Sequence, residues 1–495
     1  MREVIARHRC LLVGVLLIGV LAGLTGCATN PVTGKQDFVL VSEDQEIALG
    51  RQEHPKILKQ FGRYPNEALQ AYVQEVGDRL AAKSHRSNLI FRFTVLDSSD
   101  VNAFALPGGY VYVTRGLMAY LESEAELAAV LGHEIGHVTA RHGVRQISAA
   151  QAAGLGLNVG AILVPELRNK TTQDLMNVLG TAMLRGYGRE HELQADQLGA
   201  EYLARVGYDP HAMIEVIGVL KDQEAFEIQR AKEERREPHI YHGLFATHPD
   251  NDTRLHDVVA AADKLKNTAV TRPANHIGYL QELRGLTFGA SAREGVVRGS
   301  HFYHEGLDFA VSFPEGWTVE NRPDRLIALA PKRDAVLQLT LEERNRRIGP
   351  AAFLAKKFGK SAERGESITV YGQEGYTGLL ELNTPFGRRR SRVTVLFRDK
   401  QAFLLAGAAK DAKQEARFDA DFLATARSVH RLTGEEKALA KPLALALIEA
   451  GPKTTYEALA RNTPLPDHAE APPPPHNHHH PPGQPKPREP IKVVR

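Results

Sequence analysis

His133-Glu134-Ile135-Gly136-His137, closing the run Glu124-Ala125-Glu126-Leu127-Ala128-Ala129-Val130-Leu131-Gly132, is the stretch on which this chain turns. The run predicts a helix, with Leu127, Val130 and Leu131 spaced to bury one stripe. On a helix, residues four apart lie about 40° from one another around the axis, so His133 and His137 point the same way. Two neutral imidazoles on one face are half of a tetrahedral zinc site. Glu134 comes close enough to act on water at such a site without being a ligand. Gly132 and Gly136 are poor helix formers, and close packing around a site would account for them.

A catalytic zinc ion needs a third protein ligand and an open position. Downstream, Arg189-Glu190-His191-Glu192-Leu193-Gln194-Ala195-Asp196 opens a second helical stretch running to about Val206. By residue type alone Glu190, His191, Glu192 and Asp196 are all candidates, and Glu192 and Asp196 share a face at i, i+4. An ordinary solvated charged face is the competing account of the same letters.

The pair H-E-I-G-H and E-L-Q-A-D, about fifty residues apart, resembles the gluzincin peptidases of family M48. That family includes the CaaX prenyl endopeptidase and the heat-shock protease HtpX. Its pattern is H-E-x-x-H followed by E-x-x-x-D. The resemblance implies one zinc ion per chain, held by His133, His137 and Glu192, with Glu134 as general base. It implies that Asp196 steadies a ligand from outside. Asn102-Ala103-Phe104-Ala105-Leu106-Pro107-Gly108-Gly109 is similar to the family's strand before the zinc helix, and Thr247-His248-Pro249 with Arg254 to its His-Pro…Arg segment. The likeness covers roughly residues 40 to 260 and implies a metalloendopeptidase acting on protein or peptide substrates.

Within that likeness His248 and Arg254 stabilise the developing oxyanion, a contribution of about 3 kcal/mol per donor. An alternative role for His248 is a fourth ligand that blocks the open position, and a plain Thr-His-Pro turn is a third account. Asn102, Ala103, Phe104 and Ala105 are expected to bind substrate. Phe91–Leu96, Val101–Leu106 and Tyr110–Val113 predict three strands, and a strand beside the zinc helix offers backbone groups to an extended peptide.

Arg2, Arg7 and Arg9 precede an apolar run from Leu11 to Leu24 that ends in Leu24-Thr25-Gly26-Cys27. The run is about 14 residues, against roughly 20 needed to span a bilayer. A basic start and short apolar core predict a signal peptide over 1–26. The ending resembles the bacterial lipobox, which implies diacylation of Cys27 and a permanent lipid anchor. By resemblance to the lipoprotein sorting rule, Ala28 and Thr29, with no aspartate after the cysteine, imply the periplasmic face of the outer membrane. Cys10 and Cys27 are the two cysteines, so the mature chain has no disulfide. Losing the signal takes the formal charge from +3 to +1, which offers no footprint for nucleic acid.

The expected fold class is α+β: a mainly helical gluzincin core with a small sheet, then a smaller α+β domain and a disordered tail. Expected boundaries are a tether over 27–41, the peptidase over 42–265, a linker over 266–300 and an accessory domain over 301–431. A helical segment over 432–470 and a Pro/His-rich disordered tail over 471–495 complete the chain. Ser42 with Gln45 predicts a capping box, and a second helix is expected from about Asn66 to Lys83. Ala149–Pro165, apolar and rich in small residues, predicts a buried or lid-forming hairpin. The 301–431 unit resembles the PsbP/Mog1 type, and Thr455–Ala460 is similar to a LysM peptidoglycan-binding helix, implying an envelope partner for the C-terminal region.

Two functions fit these expectations. One is a lipid-anchored zinc endopeptidase that clears misfolded or misassembled periplasmic and outer-membrane proteins. The other is a chaperone-like assembly factor whose zinc site is largely latent. Glu134 favours the enzyme, since a pure binder needs ligands but no base.

Overall fold

The computed structural model describes residues 27–154, 187–233, 263–265, 270–322, 324–345, 347–464 and 485–495. It is an α+β chain of two compact units. One unit holds the described residues up to Leu286 together with Ala444–Pro464 and the C-terminal residues; the other is Thr287–Leu443.

In the first unit, Glu43–Phe61 starts on the Ser42/Gln45 capping box, and Glu67–Ala81 starts on Asn66, whose side chain accepts from Leu69 N–H. Each cap is worth about 1 kcal/mol. A three-stranded sheet follows, with Tyr110–Thr114 at its centre, Arg92–Leu96 parallel to it and Ala103–Leu106 antiparallel at the other edge. The buried Gln70 side chain pairs with the backbone N–H and C=O of Val95, both at 2.9 Å, and so stitches the Glu67–Ala81 helix to this sheet. One sheet face presents Leu96, Phe104, Leu106, Tyr110 and Tyr112 to Leu49, Ile57, Leu58 and Phe61 of the first helix. The helices Glu124–Thr139, His142–Gly154, Arg189–Val206 and Ala212–Glu233 complete this part.

Several boundaries differ from those expected. Residues 27–41 form a hairpin in which Cys27–Thr29 pairs with Gln36–Phe38. It is tied to the His142–Gly154 helix by Leu40 N–H to Ser148 Oγ at 2.9 Å and by Arg145 to Asp37 at 3.4 Å. The expected linker contains the helix His276–Glu282, whose Tyr279 hydroxyl donates to Met118 O at 2.8 Å. The expected helical segment contains the strand Leu443–Glu449, which pairs with Pro490–Val494 inside the expected tail. Strands that pair across some forty residues carry no local signal, which is why composition points to a tail.

The second unit is inserted into the first, and the chain leaves and returns at one place. Leu445 N–H bonds Leu286 O, and Gly285 N–H bonds Leu445 O, both at 2.8 Å. Adjacent ends are what make an inserted domain tolerable. Its main sheet is antiparallel in the order Thr318–Arg322, Arg325–Leu329, Ala335–Glu343, Gln401–Ala409, Gly387–Arg398, Gln373–Thr384, Glu363–Val370. Glu415–Arg427 covers one face, with Phe418 and Phe422 on Phe403 and Leu405. Pro350–Phe358 covers the other, with Phe353 and Leu354 on Val393, Val395 and Leu404. Burial on both faces explains why Val393–Phe397 is apolar but for the buried Thr394, where a one-sided strand would alternate with exposed polar residues. A small sheet, Val296–Arg298, His301–His304 and Phe309–Ser312, joins the first of these clusters.

The C-terminal strand has a definite task in the first unit. The buried Lys492 ammonium donates to Ala119 O at 3.0 Å and Leu121 O at 2.8 Å, and pairs with Glu122 at 2.9 Å. It thereby caps the helix Arg115–Tyr120 and braces the approach to the Glu124–Thr139 helix. Lys492→Ala takes the ammonium from beside Glu122 and removes the buried donor to the Ala119 and Leu121 carbonyls. The expected loss is about 3 kcal/mol or more of folding stability, read by urea unfolding; a change under about 0.5 kcal/mol would mean water replaces the ammonium.

Candidate metal centre

The site is assembled where the helices Glu124–Thr139 and Arg189–Val206 cross almost backbone to backbone. A Cβ on Gly132 would lie 3.3 Å from Gly199 Cα, one on Gly136 3.0 Å from Ala195 O, and one on Gly199 3.0 Å from His133 N. Each helix carries its chemistry at i, i+4: His133 and His137 on one, Glu192 and Asp196 on the other. The two stripes face each other across this contact.

His133 Nε2 and His137 Nε2 lie 3.0 Å apart. Glu192 reaches both, with Oε2 at 3.5 Å from His133 Nε2 and Oε1 at 3.7 Å from His137 Nε2. All three residues are buried, and among the described residues they are the one group of three or more such side chains placed to hold a metal. A tetrahedral ion with bonds of about 2.1 Å sets its ligands about 3.4 Å apart. The observed separations, 3.0, 3.5 and 3.7 Å, lie on either side of that edge. Two imidazole nitrogens and a carboxylate gathered this closely in a dry pocket form a donor set that suits a divalent cation, and the residues fit one.

Of the four residues that sequence left open, Glu190 is exposed and His191 stacks on His142 at 4.2 Å between centroids. Asp196 sits behind His133, with Oδ1 2.7 Å from Nδ1. That nitrogen is turned to the carboxylate, which leaves Nε2 to face Glu192. Glu134 is buried on the same helix. His248 and Arg254 lie outside the described residues.

Two neighbours carry no signal in the motif. Tyr187 stacks on His137 with centroids 4.4 Å apart and planes at 26°. Burial first, and the Glu134 and Glu192 carboxylates after it, raise its phenol pKa, so it stays protonated. His142 Nδ1 lies 2.9 Å from His137 Nδ1, and His142 Nε2 lies 2.9 Å from Gln194 Oε1. Burial, reinforced by His191, holds the His142 pKa well below the imidazole range, and burial with Arg145 pushes His191 down to about 4.

His142 arrives there through a break in the helix. Arg141 takes the left-handed conformation, φ 57°, which costs an ordinary residue about 1–2 kcal/mol. Buried Glu46 holds it, accepting from Arg141 Nε at 3.0 Å and from Arg86 Nη1 at 2.7 Å. A hydrogen bond from Arg141 to Val41 O at 3.0 Å adds to this. The turn drops His142 beneath His137, five residues on, where continuous-helix spacing would not put it.

Of the expected substrate strand, Phe104 turns its ring into the cluster against the first helix. Ala103 is buried, and Asn102 precedes the strand, its carbonyl accepting from Thr114 Oγ1 at 2.9 Å. Ala105 lines a small cavity together with Leu106, Pro107, His137, Arg141 and Tyr187.

Residues 67–262 match the sequence profile of peptidase family M48. This region is an M48 peptidase domain. The chain is 29% identical over 276 residues to the beta-barrel assembly-enhancing protease of Escherichia coli, covering 54% of each. It is 39% identical over 132 residues to the mitochondrial metalloendopeptidase OMA1 of Arabidopsis thaliana, covering 26% of each. The chain spans about half the length of the first curated relatives it matches. Among solved structures, cyanobacterial PsbP from Synechocystis covers 28% of this chain and 96% of its own at 16% identity and a TM-score of 0.23, too low a score to bear on the PsbP/Mog1 likeness.

The glycine contact of the M48 domain makes a direct prediction. Gly136→Val places side-chain carbon against a backbone oxygen that cannot move aside, so the helices separate and Glu192 withdraws from the imidazoles. Expected are a loss of about 1–3 kcal/mol in stability and a weaker affinity for added zinc, read by thermal unfolding with and without the ion. Unchanged zinc affinity would show that the close approach is not what delivers the carboxylate.

Proposed function

We propose that this chain is a zinc-dependent endopeptidase, lipid-anchored in the bacterial envelope, that hydrolyses misfolded or misassembled periplasmic and outer-membrane proteins. The observation that supports it most is the buried set His133, His137 and Glu192, with Glu134 between the two histidines on one helix. His133, His137 and Glu192 would hold the ion, and Asp196 would orient His133. When bound, zinc supplies a Lewis acid that makes water nucleophilic at neutral pH. Glu134 takes the proton of the attacking water and delivers it to the leaving nitrogen. His248 and Arg254, matched to the family's His-Pro…Arg segment, donate to the oxyanion that develops on the substrate. The strand Ala103–Leu106, at the edge of its sheet, pairs with the backbone of an extended substrate, and Ala105 faces it beside His137.

Location rests on Cys27, acylated at a lipobox-like Leu24-Thr25-Gly26-Cys27. Among the described residues no helix is long and apolar enough to cross a membrane. The name of the Escherichia coli relative, a beta-barrel assembly-enhancing protease, supports outer-membrane β-barrels as the clients.

Glu134→Gln keeps the shape and all three ligands but cannot take a proton. The purified protein without residues 1–27 should then hold one zinc by elemental analysis and lose casein hydrolysis by about a hundredfold or more. Full hydrolysis in the variant defeats the mechanism, and a zinc-loaded wild type without turnover favours the latent assembly factor. Cys27→Ser should leave the protein unacylated and move it from the outer-membrane fraction to the soluble one. Retention through a salt wash would place the anchor elsewhere in the chain.

A further inference from the structure

Metal-ligating histidines are usually held at their second nitrogen, and a lost partner there costs about 10–100-fold in metal affinity. His133 has Asp196 in that place, as the family pattern implies. His137 has something else. Its Nδ1 lies 2.9 Å from Nδ1 of His142, a side chain wholly out of solvent, and His142 Nε2 lies 2.9 Å from Gln194 Oε1.

The protons in this chain of contacts can be assigned by elimination. With His137 Nε2 kept for the ion of the proposed site, the proton of a neutral His137 is on Nδ1. It can donate only to an acceptor, so His142 Nδ1 is bare and its proton is on Nε2. That N–H meets the Gln194 carbonyl oxygen, an atom that can only accept. Gln194 stands between Glu192 and Asp196 on the same helix, so one helix orients both histidines: His133 directly, and His137 through His142.

We propose that His142 is the positioning residue for the ligand His137, and that Gln194 fixes the tautomer in which it can act. This rests on the proposed metallopeptidase site, but its consequence is a binding constant and not a rate. The kinked Arg141 and its buried partner Glu46 then have a purpose beyond packing, since they set His142 under His137.

Zinc affinity, measured by chelator competition on the purified protein, tests this. His142→Ala should weaken zinc binding by about 10–100-fold. His142→Asn, whose Oδ1 can stand where Nδ1 stood and accept the same hydrogen bond, should recover most of the loss. Wild-type affinity in His142→Ala overturns the proposal, and so does an Asn variant as weak as the Ala variant, which would reduce His142 to packing. If His142→Ala fails to fold, Gln194→Met decides. It leaves both imidazoles in place and frees the tautomer, so affinity should fall several-fold, and unchanged affinity overturns the proposal. A wild-type chain that binds no zinc defeats the proposed function itself, an outcome distinct from normal wild-type binding with unaffected variants.

Discussion

The near-contact of two helix backbones, at Gly132 and Gly136 on one and Ala195 and Gly199 on the other, is the constraint on which the rest depends. Carboxylate side chains are short. Glu192 and Asp196 reach the imidazoles only because no side chain stands between the helices. Glycine inside a helix costs about 1 kcal/mol against alanine, and the chain accepts that cost three times along one contact. What it obtains is a facing pair of i, i+4 stripes, two histidines opposite two carboxylates, registered without any loop to blur them.

A site this dry needs every buried charge answered, because an unpaired one costs several kcal/mol. The surrounding structure follows from that need. Glu46 is answered by Arg86 and Arg141, Glu124 by Arg79 and the Tyr208 hydroxyl, and Arg115 by Asp97. The first of these clusters also holds the strained turn at Arg141. Burial of the N-terminal helix and the conformation beneath His137 are thus one piece of structure, and a change at Glu46 would be felt at the His133, His137 and Glu192 cluster.

Closure of the first unit is non-local at both ends. Its N-terminal hairpin docks on the helix that begins with His142, and its C-terminal strand seats Lys492 beside the start of the H-E-x-x-H helix. If Cys27 is acylated, the anchor joins an element packed against the helix that carries His142, and not a loose tether. The inserted unit separates these pieces along the chain at little cost, since loop-closure entropy grows only with the logarithm of length.

Sequence by itself determined what local chemistry can specify. The H-E-I-G-H and E-L-Q-A-D turns each write their residues on one helix face, and a face is set by the 3.6-residue period alone. The capping box at Ser42 and Gln45, the helix from about Asn66, the three strands before the site and Gly132 and Gly136 as packing positions were legible for the same reason. Tertiary structure decided the rest. Among Glu190, His191, Glu192 and Asp196, only the crossing of two helices selects the carboxylate that meets both imidazoles. His142 was unreadable because a left-handed Arg141 breaks the period that any sequence pattern assumes. Lys492 and its strand looked like the end of a disordered tail because their partners lie some forty and nearly four hundred residues away, and contacts at that distance are written in the fold and nowhere in a window of residues.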